Sequence, residues 1–411
     1  MTANYIRKLL APILILSVGA ISDKAPRSES EAKYFDQSST ARVLDSAGVR
    51  IVEYPALAPK EPWFVGRSSF VLDAWSRVGD AFHIERNAFR DIGGEDAAVE
   101  LKDPFFAAAV ELPNGQLMVS DKDRLVRIDG TGRVLGSSGR AGRGPGEFTD
   151  IRSMCVLAGD TVLVIDKLGT VSLWDGRGDH IRTMAGRDPF RWSSCDGRGH
   201  LVSTSRPLLV RIDPDGVERR TEHWLTRPSG VRTMSLGRLP ATVMAGLLSW
   251  EPSLAWTRNE LVVANGRRYE LQWRYSDGRV RQIMRLSRPV EKISDAEWKK
   301  LVSDAVPAGS GAANRDLVLQ AMGPKPNAAF PAHGSILVDP ERRVWVADFA
   351  NTSSLTVFAH DGSLLGRVQL RSAPGSPRPA LVGVGANHIQ VREQDEDGFI
   401  HLRFYRLRSR R

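Results

Sequence analysis

Three aspartates recur at one position of a repeated pattern: Asp121 closes QLMVSD, Asp166 closes TVLVID and Asp348 closes RVWVAD. Carboxylates gathered from separate segments are the hard oxygen ligands that calcium takes. The simpler reading is structural, each Asp accepting backbone N–H groups from the turn that follows its strand, and it is preferred to metal ligation. The histidines stand singly, at 83, 180, 200, 223, 333, 360, 388 and 401, with no H-x-x-x-H pair and no H-E-x-x-H run. A zinc site would therefore need ligands from distant segments. His333, just before the first strand of a repeat, is the first candidate.

Two other patterns fail as chemistry. The glycine-rich Gly139 to Gly146 stretch invites phosphate, but no G-K-[ST] follows and no helix opens behind it. Without that helix the backbone donors lack a dipole, so the stretch reads as a turn between repeats. No G-x-S-x-G offers a nucleophile elbow, and Gly309-Ser310-Gly311 lies in a connection.

The elements that must position these residues form a repeat of four short strands. One unit runs to Asp121 and on to DGTG at Gly132, and the next to Asp166 and DGRG at Gly178. A third has HLVSTS and DPDG at Gly216, a fourth ELVVAN and SDG at Gly278, and a fifth Asp348 and HDG at Gly362. A sixth, weaker unit has three strands, from Leu381, His388 and His401. A period of about 40 to 45 residues with four strands per unit is that of a propeller blade. The fold expected is all-β, a six-bladed β-propeller closed by an N-terminal strand. Val49 to Tyr54 is the strand expected to complete the sixth unit, since an open ring exposes sheet edges.

The remaining segments divide as follows. Residues 1–22 carry Arg7 and Lys8, an apolar run from Leu9 to Ile21 and small residues, the pattern of a signal peptide. At that length the run is short for a bilayer span, which needs about 20 residues. Export to the periplasm or outside the cell is expected, with membrane attachment only if the segment stays uncleaved. Residues 23–44 read as a flexible tether and 45–411 as the propeller. Inside it, 293–322 reads as a helical insertion between blades four and five, opened by a capping box of Ser294 and Glu297. Thr226 to Pro252 lacks a clear period, and Phe64 to Lys102 holds strand-like FVLDAW and AFHIERNAF beside the closing blade.

The net charge is +9, but basic and acidic residues interleave, so a solvated surface is expected rather than a nucleic-acid partner. Two cysteines exclude a disulfide-dense scaffold or a Cys-rich zinc site. Cys155 and Cys195 fall on the first strands of successive units. A one-residue difference in register aims them apart, and two buried thiols are expected ahead of a bridge.

GRAGRGPGEF followed by LAGDTVLVID, and ILVDPERRVWVADF followed by LTVFAHDGSLLGRVQL, resemble the NHL-like repeats of six-bladed β-propellers. The whole is similar to exported bacterial six-bladed propeller proteins of unassigned activity. The resemblance implies a fold whose members include ligand binders, scaffolds, RNA binders and a few metal-dependent lactonases and lyases. The function expected is a non-catalytic binding or scaffold propeller, monomeric, recognising a protein, peptide or small ligand at one face of the ring, with no cofactor. The alternative is a metal-dependent lactonase-like hydrolase or lyase, holding Ca or Zn at the propeller centre.

Overall fold

The structure, a computed structural model, describes residues 41–55, 64–65, 82–95, 97–104, 106–184, 192–195, 201–204, 208–213, 216–226, 232–243, 249–250, 252–257, 260–265, 268–287, 294–296, 298, 333–348, 354–370 and 379–409. The signal-peptide segment, FVLDAW and nearly all of 293–322 lie outside the described residues. The described start of that insertion is helical, with the Trp298 N–H donating to the Ser294 carbonyl at 2.9 Å. No helix among the described residues is long and apolar enough to cross a membrane.

Four strands come first: β1 (Arg42–Ser46), β2 (Val49–Tyr54), β3 (Phe64–Val65) and β4 (Phe82–Gly93). Among the described residues six sheets then follow in chain order. The first is β5 (Ala108–Glu111), β6 (Leu117–Asp121), β7 (Arg124–Ile128) and β8 (Val134–Ser138). The second is β9 (Ile151–Val156), β10 (Val162–Asp166), β11 (Val171–Trp174) and β12 (His180–Met184). The third comprises β13 (Trp192–Cys195), β14 (Leu201–Thr204), β15 (Leu208–Asp213), β16 (Gly216–Thr226), β17 (Arg232–Val243) and β18 (Ser249–Trp250). The fourth holds β19 (Ser253–Trp256), β20 (Glu260–Asn265), β21 (Glu270–Tyr275) and β22 (Val280–Leu286). The fifth holds β23 (Ile336–Val338), β24 (Val344–Ala347), β25 (Ser354–Phe358) and β26 (Leu364–Leu370). The sixth has β27 (Ala380–Val384), β28 (His388–Gln394) and β29 (Ile400–Ser409), with β4 as its outer strand.

The apolar runs explain this layering. β6, β10 and β24 are buried along their whole length, which requires cover on both faces of the sheet. Neighbouring sheets supply it. Leu112 and Met118 of the first sheet pack with Val162 and Trp174 of the second, and Leu163 of the second with Leu201 of the third. Val202 packs with Leu261 of the fourth, Trp273 with Val346 of the fifth, Trp345 with Val391 of the sixth, and Leu402 with Val119 of the first. The first strands adjoin in the same order, β5 beside β9, then β13, β19, β23 and β27, which lies again beside β5. Each fully buried large side chain in these interfaces contributes about 1.5 to 3 kcal/mol.

The N-terminal strand that completes the sixth sheet is β4, not the expected Val49–Tyr54. β4 runs antiparallel to β29, with Leu402 opposite Ile92 and Phe404 opposite Arg90. β2 instead lies parallel to β22 on the outside of the fourth sheet. Tyr54 settles there because its hydroxyl donates to the Gly362 carbonyl at 3.1 Å and accepts the Leu364 N–H at 2.9 Å. β1 begins at Arg42, within the interval read as a tether, because Ala47 and Gly48, both at positive φ, turn it back onto β2. In the third sheet β15 and the first half of β16 form an added hairpin, with Asp213 opposite Gly216, where a blade turn was expected.

Cys155 is disulfide-bonded, and the chain's other cysteine is Cys195. This corrects the expectation of two free thiols. The first strands β9 and β13 are direct neighbours in the cycle, close enough to override the difference in register.

Candidate functional site

The first strands and the turns after the second strands meet at one end of the sheets. Ala108 lies opposite Ser120, Ile151 opposite Asp166, and Ala380 opposite Arg392. Asp121, Asp166, Asp348 and His333 therefore all fall at that end, here called the mouth, but their side chains are turned to their own surroundings. Asp121 Oδ1 accepts the Lys102 N–H at 2.6 Å and the Asp103 N–H at 3.0 Å, while Oδ2 pairs with Arg124 at 2.7 Å. Asp166 Oδ1 accepts the N–H groups of Leu168 and Thr170, both at 2.9 Å, and Oδ2 accepts the Thr149 hydroxyl at 2.7 Å. Asp348 pairs with Arg367 at 3.3 Å. His333 Nδ1 lies 2.9 Å from the Gly334 carbonyl, and its ring meets Tyr269 edge-on at 5.8 Å. The oxygens of Asp121 and Asp166 are spent on backbone N–H groups, a hydroxyl and an arginine, and among the described residues no group of three or more His, Cys, Asp or Glu gathers. The donor set at these four positions does not fit a calcium or zinc ion.

Asp121 and Asp166 hold the segments that enter the first strands. Asp121 fixes the turn carrying Asp103, whose Oδ1 accepts the Phe106 N–H at 2.9 Å. Asp166 fixes Thr149, next to Asp150. Arg152 joins the two segments: it pairs with Asp150 at 2.7 Å and stacks over the Phe106 ring at 3.7 Å. Burial raises the Asp150 carboxyl above its usual range; Arg152 draws it down and Asp103 pushes it up. From the sixth sheet, Arg392 reaches the Ala107 carbonyl at 3.4 Å and feels the charge of Asp103. Three sheets thus bring two acids, two arginines and an aromatic ring to the mouth.

Sequence reasoning missed Asp103, Phe106, Asp150, Arg152 and Arg392. The available signal was position: DPFF stands ahead of one first strand and TDIR runs into the next, at the end of the sheets rather than in the middle of an interface.

The glycine-rich turn behaves as expected, joining β8 of the first sheet to β9 of the second. Its donors are already met by an anion of the chain itself: Glu147 Oε2 accepts the N–H groups of Arg143 at 3.0 Å and Gly144 at 2.8 Å. Phe148 anchors it by stacking on Trp174 at 5.2 Å.

No family model matches the chain and no curated protein matches it. Among solved structures, the chain is similar to a Bacteroides fragilis protein named as exported, at 12% identity and a TM-score of 0.49 over 85% of this chain and 99% of that one. It is similar to a duf4221 family member from Bacteroides vulgatus, at 10% identity and TM-score 0.48 over 80% and 99%. It is also similar to the calcium-binding protein regucalcin from Agrobacterium tumefaciens, at 12% identity and TM-score 0.36 over 84% and 96%. At these values the likenesses carry no functional argument.

Proposed function

We propose that the protein is an exported six-bladed β-propeller, closed by β4, that works by binding a protein, peptide or small ligand at the mouth. The observation that carries this reading is the convergence of Asp103, Phe106, Asp150, Arg152 and Arg392, from separate sheets, on the end of the ring that Asp121 and Asp166 brace. Propeller function resides in such end surfaces, because the sides of each blade are consumed by packing. Asp150 and Arg152 already neutralise each other, an arrangement suited to recognition. Export is supported by the charged and apolar pattern of residues 1–22 and by the Cys155 disulfide, since such bonds persist in oxidising compartments.

The test is a photo-crosslinking amino acid placed at Phe106, at the mouth, or at exposed Tyr275, at the opposite end of the sheets. Expressed in the producing cell, the Phe106 position is expected to capture an adduct that Tyr275 does not, and that Arg152→Ala abolishes. Equal capture from both positions, or none from Phe106, would contradict the proposal.

A further inference from the structure

Among the described residues, most arginines held inside the protein pair with a carboxylate, and Arg392 does not. Arg343 pairs with Asp339 and Glu341, Arg281 with Glu260, Arg367 with Asp348, and Arg403 with Asp91 and Glu393. Arg274, with no carboxylate in an ion pair among the described residues, bonds the Leu236 carbonyl at 2.8 Å and Gln272 at 2.7 Å. Arg392 is mostly buried, yet its described contacts hold one hydrogen bond, to the Ala107 carbonyl at a long 3.4 Å, and no ion pair. A guanidinium carries five N–H donors in a planar fork, so most of this one's capacity is unspent.

Its location gives that capacity an outlet. Arg392 lies opposite Ala380, the first residue of β27, and reaches Ala107, one residue ahead of β5. The head group therefore stands between the beginnings of two adjoining first strands. Burial pulls its pKa down to about 10, partly offset by Asp103, so it remains a cation at neutral pH. A desolvated cation of this kind gains most from a partner that replaces its lost hydration with paired, charge-assisted bonds.

We propose that Arg392 is the anchor of a carboxylate subsite at the mouth, receiving a single carboxylate of the ligand on the guanidinium N–H donors that its described contacts leave unspent. This deepens the binding reading above and rests on it. The planar fork matches a carboxylate in bidentate geometry. Asp103, close enough to influence Arg392, and Asp150, close enough to influence Asp103, oppose a doubly charged phosphate more than a singly charged carboxylate. The Phe106 ring in the adjoining entry segment offers an apolar surface for the body of such a ligand.

The test uses the intact mature protein and three probes: benzoate, N-acetyl-trialanine with a free C-terminus, and the same peptide amidated, each titrated by calorimetry and thermal shift. Binding of a free-carboxylate probe is expected, with the amidated peptide weaker by about tenfold or more, the loss of one charge-assisted pair. Benzoate binding alone would mark a small organic acid as the source, and binding of the free peptide a chain terminus. Arg392→Gln should remove the preference, Arg392→Lys should restore part of it, and Arg406→Gln, exposed at the end of β29 away from the mouth, should leave it unchanged. The comparison of free and amidated peptide on the unaltered protein stands even if Arg392→Gln fails to fold. Failure of every carboxylate probe to bind, or equal binding by Arg392→Gln, would overturn the subsite. The binding reading itself would stand in that case if the Phe106 crosslink still formed.

Discussion

Asp121 accepts the backbone N–H of Asp103 at 3.0 Å. A carboxylate at the end of a fully buried strand thereby sets the position of an acid at the mouth. Because the same carboxylate also holds Lys102 and Arg124, Asp121→Ala leaves two backbone donors and a cation without their acceptor. The expected cost is about 2 to 3 kcal/mol, since Arg124 is partly solvated and recovers some hydration. Thermal melts check this, and the loss should be identical with and without EDTA. A loss that disappears in EDTA would mark Asp121 as a metal ligand.

Gly93 lies where β4 meets β29, at φ +102°, and a Cβ there would stand 2.1 Å from the Ile400 carbonyl oxygen. Backbone cannot move aside as a flexible side chain can. Gly93→Ala should therefore destabilise the protein by at least about 2 kcal/mol, combining backbone strain with a disturbed ladder. Gly115→Ala, also at positive φ but facing open space, is the control. Equal denaturation midpoints for the two variants would count against β4 as the strand that completes the sixth sheet.

His401 stands between two carboxylates, with Nδ1 3.0 Å from Asp91 and Nε2 3.0 Å from Asp395. Hydrogen bonding to Asp91 raises its pKa against the opposing effect of burial, with Asp395 adding to the rise. A raised histidine stabilises fully below its unfolded value of about 6.5 and loses that contribution as pH climbs through the folded value. Burial works to raise Asp91, but His401 and Arg403 more than offset it, and His401 lowers Asp395. Those acids stabilise above about 4 and lose their contribution as pH falls further. Stability should therefore peak on the acid side of neutrality and decline toward pH 8. His401→Gln should flatten the upper decline; an unchanged profile in that variant would contradict the assignment.

The Cys155 disulfide joins strands on neighbouring sheets and, with Cys195 as partner, closes a loop of about 40 residues. In the chain-entropy account a loop of that length is worth about 4 kcal/mol. Native protein should contain no titratable thiol, and Cys155→Ser should lower the midpoint accordingly. Two free thiols in native, unreduced protein would contradict the bond.

The repeat was legible because each blade's second strand is covered on both faces and must be continuously apolar. LMVSD, VLVID and VWVA mark three sheets directly. The third sheet was blurred because β16 and β17 run past the blade and carry polar residues, with Pro240 inside β17. The closing strand was misassigned for a related reason: in FHIERNAFRDIG the charged and apolar residues do not alternate cleanly, whereas VRIVEY does. Of the repeated aspartates, Asp166 bonds the turn after its strand, at Leu168 and Thr170, as expected, whereas Asp121 accepts from Lys102 and Asp103 ahead of the first strand. The site they brace was invisible, because Asp103, Asp150 and Arg392 lie far apart along the chain and only the cyclic order of sheets brings their strands side by side.

Every proposal about the mouth requires that the sixth sheet be completed by β4 and so lie against the first. Amide hydrogen exchange on β4 and β29 measures this directly. The account predicts that the β4 amides bonded to β29 are protected and lose protection together with β29, while the alternate amides on the outer edge of β4 exchange freely. Free exchange along β4, with β28 and β29 still protected, would contradict it.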